Sequence, residues 1–305
     1  MEFNKSNRFS NDNEKKEKSN LIHYAGEIGE FDYDPKIWKI EDNHLRFKNR
    51  KIKSLPENLE LPKGCINISY MFCGCRSLTD ITSLRNWDTS NITDTSYMFE
   101  YCTNLKDITS LQNWDTSNVT NMSDMFYNCT NLTDISPLQN WDTSKVENMS
   151  SMFRSCINLT DISPLKNWDT SNVEDVSCMF FDCKKLTYIS SLKNWNISKV
   201  EDMRHMFCGC ENLTDITPLQ NWDTSSVIAM EGIFGDCISL TDIYPLQNWD
   251  TSKVNNMQDM FRNCQKLKDI SPLQNWDTSS VTTMKNMFEG CTNLTDKTQL
   301  LKFEK

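Results

Sequence analysis

Thirteen cysteines and three histidines carry the most reactive side chains of this 305-residue chain. A thiol beside an imidazole makes a nucleophilic dyad, four thiol or imidazole ligands make a zinc site, and two thiols make a disulfide. Cys73 with Cys75, and Cys208 with Cys210, form two C-G-C pairs, but each offers two ligands where tetrahedral zinc needs four. Of His23, His44 and His205, only His205 stands near a thiol in sequence, three residues before Cys208. There is no G-x-S-x-G elbow, phosphate loop or H-E-x-x-H pair. The residues predict no enzyme, no cofactor and no metal centre.

The spacing of the remaining cysteines shows what positions them. Cys75, Cys102, Cys129, Cys156, Cys183, Cys210, Cys237, Cys264 and Cys291 recur every 27 residues. Trp87, Trp114, Trp141, Trp168, Trp195, Trp222, Trp249 and Trp276 keep the same interval, as do phenylalanines from Phe72 to Phe288. Leucines follow it from Leu78 to Leu294 and from Leu84 to Leu300. The unit reads L-T-D-I-x-x-L-x-N-W-D-T-S-x-V-x-x-M-x-x-M-F-x-x-C-x-x, with no insertion over about 230 residues.

Inside a unit the apolar residues step by three: Val119, Met122, Met125, Cys129, Leu132, Ile135, Leu138 and Trp141, with one extra step at Phe126. A three-residue step drifts about 60° each time on an α-helix, so the stripe would wind around it. Nor does a period of three fit a strand. Pro137, Pro164, Pro218, Pro245 and Pro272 share one slot that a helix interior would not tolerate. The expected fold is a repeat solenoid of 27-residue coils, each turning around its own core. Short strands are expected near Leu132–Ile135 and Val119–Met122, and a helical turn over Ser123–Cys129 with Ser123 as its cap. Nine coils at strand spacing span about 43 Å.

Each repeated position becomes a column. The Leu, Ile, Val, Met, Phe and Trp columns predict core, and the cysteine column predicts small buried thiols, with disulfides between neighbouring columns left open. The asparagine column, Asn86 to Asn275, is expected to be buried and bonded to the next coil's backbone, with an exposed turn asparagine as the alternative. The aspartate column, Asp88 to Asp277 with Asn196 as its exception, predicts Asx turns over D-T-S, with a calcium ladder as the alternative.

The formal net charge of −10 argues against a nucleic-acid partner, which requires a concentrated basic face. No apolar run reaches the roughly 18 residues of a membrane helix, so no membrane insertion is expected. The polar start shows no signal-peptide h-region, and no lipidation or wall-anchor pattern appears. Residues 1–20 are expected to form a disordered tail, 21–64 an N-terminal cap, and 65–305 the solenoid of about nine coils. Trp38–Phe47 suits a capping strand or hairpin. Lys297 replaces the column isoleucine, which suggests a weakly capped far end and possible end-to-end self-association.

The motifs resemble the BspA-like leucine-rich repeat, in the mycoplasma-type form W-D-T-S-x-V-x-x-M-x-x-M-F. The residues that carry the likeness are Asn113-Trp114-Asp115-Thr116-Ser117-Asn118-Val119 and Met125-Phe126, and it covers about residues 65 to 300. The resemblance implies a leucine-rich-repeat-like, right-handed solenoid. It also implies surface display or secretion, adhesion to host proteins or other cells, and no shared catalytic residues.

If the scaffold binds a protein partner, its specificity lies in slots that vary between coils. Tyr97, Tyr101, Tyr127, Arg154, Phe181, Arg204, His205 and Arg262 occupy such slots, between the methionine columns and just after the phenylalanine. Aromatic and arginine side chains are the common anchors of interfaces. A structural or assembly protein, or an intracellular interaction scaffold, is the alternative use of the same fold.

Overall fold

The M-x-x-M-F-x-x-C segment sets the backbone of every coil. The computed structural model describes residues 21–294 and residue 303. In the coil that begins at Asn121, the N–H groups of Met122, Asp124, Phe126 and Asn128 donate to the carbonyls of Asn148, Ser150, Met152 and Arg154, at 2.8–3.0 Å. Four alternate donors thus point to the next coil, as in a parallel strand, but the N–H groups between them turn back onto carbonyls of their own coil. Left-handed residues make it possible: Asp124 has φ 55° and Asn128 φ 58°. Between them Tyr127 N–H bonds to the Asp124 carbonyl and Cys129 N–H to the Phe126 carbonyl. The segment is a chain of linked turns and not the helical turn expected over Ser123–Cys129. Left-handed residues break a helix, and the Ser123 N–H is taken by the Asn121 side chain.

The expected strand near Val119–Met122 is reduced to a single parallel bridge per coil, in a column from Asn67↔Asp94 to Asn256↔Thr283. Near Leu132–Ile135 only two parallel bridges form among the described residues of that column, Ser54↔Asp80 and Asp161↔Tyr188. The regular element is the 3-10 turn that follows, at Ser136–Leu138 and its equivalents, five of them with proline in the first turn where no donor is lost. The one helical turn of each coil therefore lies after the isoleucine. Together these repeated bridges and 3-10 turns are consistent with a repeat solenoid.

A typical coil carries Asx turns at three corners, with Tyr188, Ala229 and Thr283 as exceptions in the sequence. Ser123 N–H donates to Asn121, Ser136 N–H to Asp134, and Ser144 N–H to Asp142. The D-T-S turns recur through the described coils, and Asn196 does the same work for the Ser198 N–H. An amide oxygen serves there as well as a carboxylate, so the column does not depend on charge.

The core is a set of ladders. Phenylalanine rings stack coil on coil, with 5.7 Å between Phe99 and Phe126. Trp114 and Trp141 stack at 6.4 Å. Three polar ladders run through this apolar interior. Each indole N–H reaches a leucine carbonyl of the preceding coil, as from Trp141 to Leu111 at 3.0 Å. From Cys102 to Cys291 each column thiol donates to a phenylalanine carbonyl, as from Cys156 to Phe126 at 3.2 Å. The buried threonine hydroxyls donate forward, as from Thr143 to the Asp169 carbonyl at 2.9 Å. The cysteines are free thiols.

The asparagine column corrects the expectation made for it. Asn86, Asn113, Asn140, Asn167, Asn194, Asn221, Asn248 and Asn275 are all exposed. The threonine two residues past the tryptophan takes the role of buried inter-coil donor, because its short branched side chain fits beneath the next turn.

Two hairpins precede the coils. β1 (Ile22–Gly26) pairs antiparallel with β2 (Gly29–Tyr33), and β3 (Trp38–Glu41) with β4 (His44–Phe47). Asp42 and Asn43, at φ 51° and 62°, form the two-residue β3–β4 turn, where both central residues must be left-handed. Phe47 N–H donates to the Met71 carbonyl, and Trp38 and Phe47 lie 6.1 and 5.7 Å from Phe72. These rings cover apolar surface that the first coil would otherwise expose. At the far end Phe303 packs edge-on to Phe288 at 5.5 Å. The expected tail, 1–20, and Lys297 lie outside the described residues.

Candidate functional site

The same linked turns determine where the variable side chains go. Two slots per coil are left-handed. The first holds Tyr70, Tyr97, Asp124, Ser151, Cys178, His205, Gly232, Asp259 and Asn286; the second includes Gly74, Tyr101, Asn128, Asp182, Gly209 and Gly290. Gly, Asn and Asp tolerate this backbone, whereas other side chains cost about 1–2 kcal/mol there. The C-G-C pairs now have an account: Gly74 and Gly209 are the turn residues at φ 76°, each followed by a buried column thiol. The same costs make Tyr97, Tyr101 and His205 conspicuous, since each holds a large ring where the turn favours a small residue.

The slot between these two carries Glu100, Tyr127, Arg154 and Phe181 in successive coils. There the side chains meet. Tyr101 and Tyr127 have ring centroids 5.0 Å apart, and the Tyr101 hydroxyl donates to the Tyr127 hydroxyl at 3.2 Å. The Arg154 guanidinium lies between two rings, 5.0 Å from Tyr127 and 4.8 Å from Phe181. Phe181 meets His205 edge-on at 6.2 Å, and His205 Nε2 stands 3.7 Å from Glu231 Oε1. Arg76 adds a cation 5.8 Å from the Tyr101 ring. Five of the eight residues singled out from the sequence thus form one run over five coils: Tyr101, Tyr127, Arg154, Phe181 and His205. All five are half-buried.

Tyr97 belongs to a second run. It stacks on Tyr70 at 4.3 Å and 6°, Tyr70 lies under Arg46 at 4.9 Å, and His44 stands 4.6 Å from Tyr70. Asp124 follows Tyr97 in the same slot. Burial pushes its carboxyl up to about 6, against the lowering effect of the Tyr97 hydrogen bond. Tyr97 is itself pushed up, by burial first and then by the Asp124 charge. Burial and the Arg46 cation lower His44. Sequence reasoning missed Tyr70 and Asp124, although counting 27 residues either way from Tyr97 finds both. Arg46 and His44 come from β4, and nothing in the repeat could have placed them.

Arg204 and Arg262 are not brought into either run. Arg204 grips Asp202 through Nε and Nη2 at 2.6–3.0 Å, and Arg262 stands 3.5 Å from Glu289. Both are exposed and already paired with acids of their own chain.

The off-column thiols do not look activated. Burial pushes Cys73 and Cys208 up to about 12, and Cys178 is also raised by burial. A thiolate nucleophile requires the opposite shift. Elsewhere, residues 57–65 and the rim from Ser83 to Asn91 frame an open cavity of about 650 Å³, which no residue of either run lines.

No curated protein matches this chain. Among solved structures, a leucine rich cell surface protein from Faecalibacterium prausnitzii aligns over 92% of this chain and 97% of its own. Its identity is 16% and its TM-score 0.31, too loose a superposition to carry an inference. The model of one family matches three overlapping stretches, 66–189, 106–214 and 179–301, which together span most of the chain and all of its repeats. The chain belongs to the family described as Mycoplasma protein of unknown function, DUF285.

Proposed function

We propose that this chain is a non-catalytic binding scaffold of the BspA-like, leucine-rich-repeat kind. Its right-handed coils present the Tyr101–Tyr127–Arg154–Phe181–His205 strip to a protein partner. The observation that carries this reading is the backbone beneath the strip. Tyr101 and His205 occupy left-handed slots, at φ 58° and 56°, where most other coils place a small side chain: glycine, asparagine, aspartate, serine or cysteine. A ring held at a position the fold disfavours implies a use other than folding. Aromatic and arginine side chains together fit the anchor role at an interface.

Display at the cell surface, with adhesion to host proteins or to other cells, is the setting the repeat resemblance suggests. No helix among the described residues is long and apolar enough to cross a membrane. Changing Tyr101, Tyr127 and Arg154 together to alanine is expected to abolish saturable binding to cells and matrix proteins. The circular dichroism and melting of the repeat should stay close to those of the unaltered chain. Unchanged affinity in that variant would remove the strip as the binding surface.

A further inference from the structure

Arg154 differs from the other arginines of the variable slots. Arg204 and Arg262 have carboxylate partners. Arg154 has none: among the described residues its guanidinium makes no ion pair and no hydrogen bond. Its Nε is buried without a partner. The Asp124 carboxyl feels its charge but stands outside ion-pair range. The rings of Tyr127 and Phe181 hold the plane from both sides, so little side-chain entropy remains to be lost on binding. Nε is the enclosed donor, which leaves the two terminal nitrogens as the open edge of the fork.

We propose that Arg154 is a preformed carboxylate-binding site, taking one Asp or Glu side chain of a protein partner through its terminal nitrogens. The inference rests on the strip reading above and adds the chemistry of the ligand. A planar guanidinium matches a carboxylate bidentately, and such charge-assisted bonds are about twice as strong as neutral ones. The charges around the site narrow the partner further. Glu100, Asp182 and Glu231 flank the run, and the whole chain carries a net charge of −10. A polyacidic segment would be repelled. A single carboxylate among neutral, apolar residues would meet the cation at Arg154 and the exposed edges of the rings beside it.

The test uses the full chain with the Arg side-chain Nε–H resonances resolved by NMR, Arg154 being assigned from its disappearance in Arg154→Lys. The probes are two blocked tripeptides, glutamate between two leucines and the glutamine isostere. The glutamate peptide should shift the Arg154 resonance saturably and bind about tenfold more tightly than the glutamine peptide, the factor expected of one charge-assisted bond. The Arg204 resonance should stay in place, because its donors are engaged by Asp202. In Arg154→Lys, which keeps the charge but loses the fork, most of that preference should vanish.

Equal affinity for the two peptides, with the Tyr127 and Phe181 ring signals moving, would overturn the carboxylate site and leave the strip reading standing. No saturable Arg154 shift with either peptide would also overturn it, while the triple-alanine variant judges the strip separately. Inorganic phosphate displacing the glutamate peptide at lower concentration than free glutamate would contradict the choice of a carboxylate.

Discussion

At the scale of single residues, the left-handed slots separate what the fold requires from what it merely tolerates. Asn128 has a side chain suited to φ 58°, and Tyr101, one coil earlier in the same slot, does not. Asn128→Ile should therefore cost about 2 kcal/mol in chemical denaturation, since a β-branched residue resists this backbone. Tyr101→Asn should change stability by no more than about 1 kcal/mol, because relief of the backbone offsets the lost ring contact. Asp124 gives a pH dependence of unusual sign. Its folded value, about 6, lies above the ordinary aspartate value, so the native chain holds the proton more tightly. The cost of the buried charge is absent below about pH 4, grows between pH 4 and 6, and is fully present above 6. Asp124→Asn should raise stability at pH 7 by about 1–2 kcal/mol, allowing for partial solvent screening. The gain should close as pH falls to 4, and a constant gain across that range would refute the assignment. The exposed turn aspartates Asp88, Asp142 and Asp250 act in the opposite sense. Hydrogen bonds from their serine partners hold them below the usual range, so their contribution is lost as pH falls.

At the scale of one coil, three polar ladders anchor an interior that composition suggests is simply apolar. The threonine ladder is the one to test. Thr143→Val keeps the shape but leaves the Asp169 carbonyl without its buried donor. It should cost about 1 kcal/mol, whereas the exposed Asn140→Ala should cost almost nothing. The reverse order would restore the buried-asparagine expectation. This contrast also shows how far the sequence could be read. The 27-residue period, the core columns and the Asx turns were legible because each depends on residue type at a fixed interval. The helical turn was misplaced because Ser123–Cys129 resembles a capped turn, while the feature that excludes it, left-handed backbone at Asp124 and Asn128, has only a weak residue signature. Asparagine and threonine both recur in every typical coil, so recurrence alone could not tell which of them faced inward. The strip was legible as a set of variable aromatic and arginine slots. Its division into two runs was not, since Arg46 and His44 arrive from a hairpin outside the repeat.

At the scale of the whole molecule, each coil bonds only to its neighbours, and the described ends are closed by rings: Trp38 and Phe47 over Phe72, Phe303 against Phe288. Such a stack is a long, regular support whose core columns cannot vary without disturbing the coils on either side. Variation is left to the turn slots, and the aromatic and arginine strip is where that freedom has produced a continuous surface. The account stands on that surface being used. The direct measurement is site-specific photo-crosslinking in the native source, with a benzoylphenylalanine at position 127 or 181 of the strip and, as the control, at position 221 of the exposed asparagine column. The account predicts a discrete adduct from the two strip positions, lost when Arg154 is changed to alanine, and none from position 221. Equal labelling from all three positions, or adducts from position 221 alone, would contradict it.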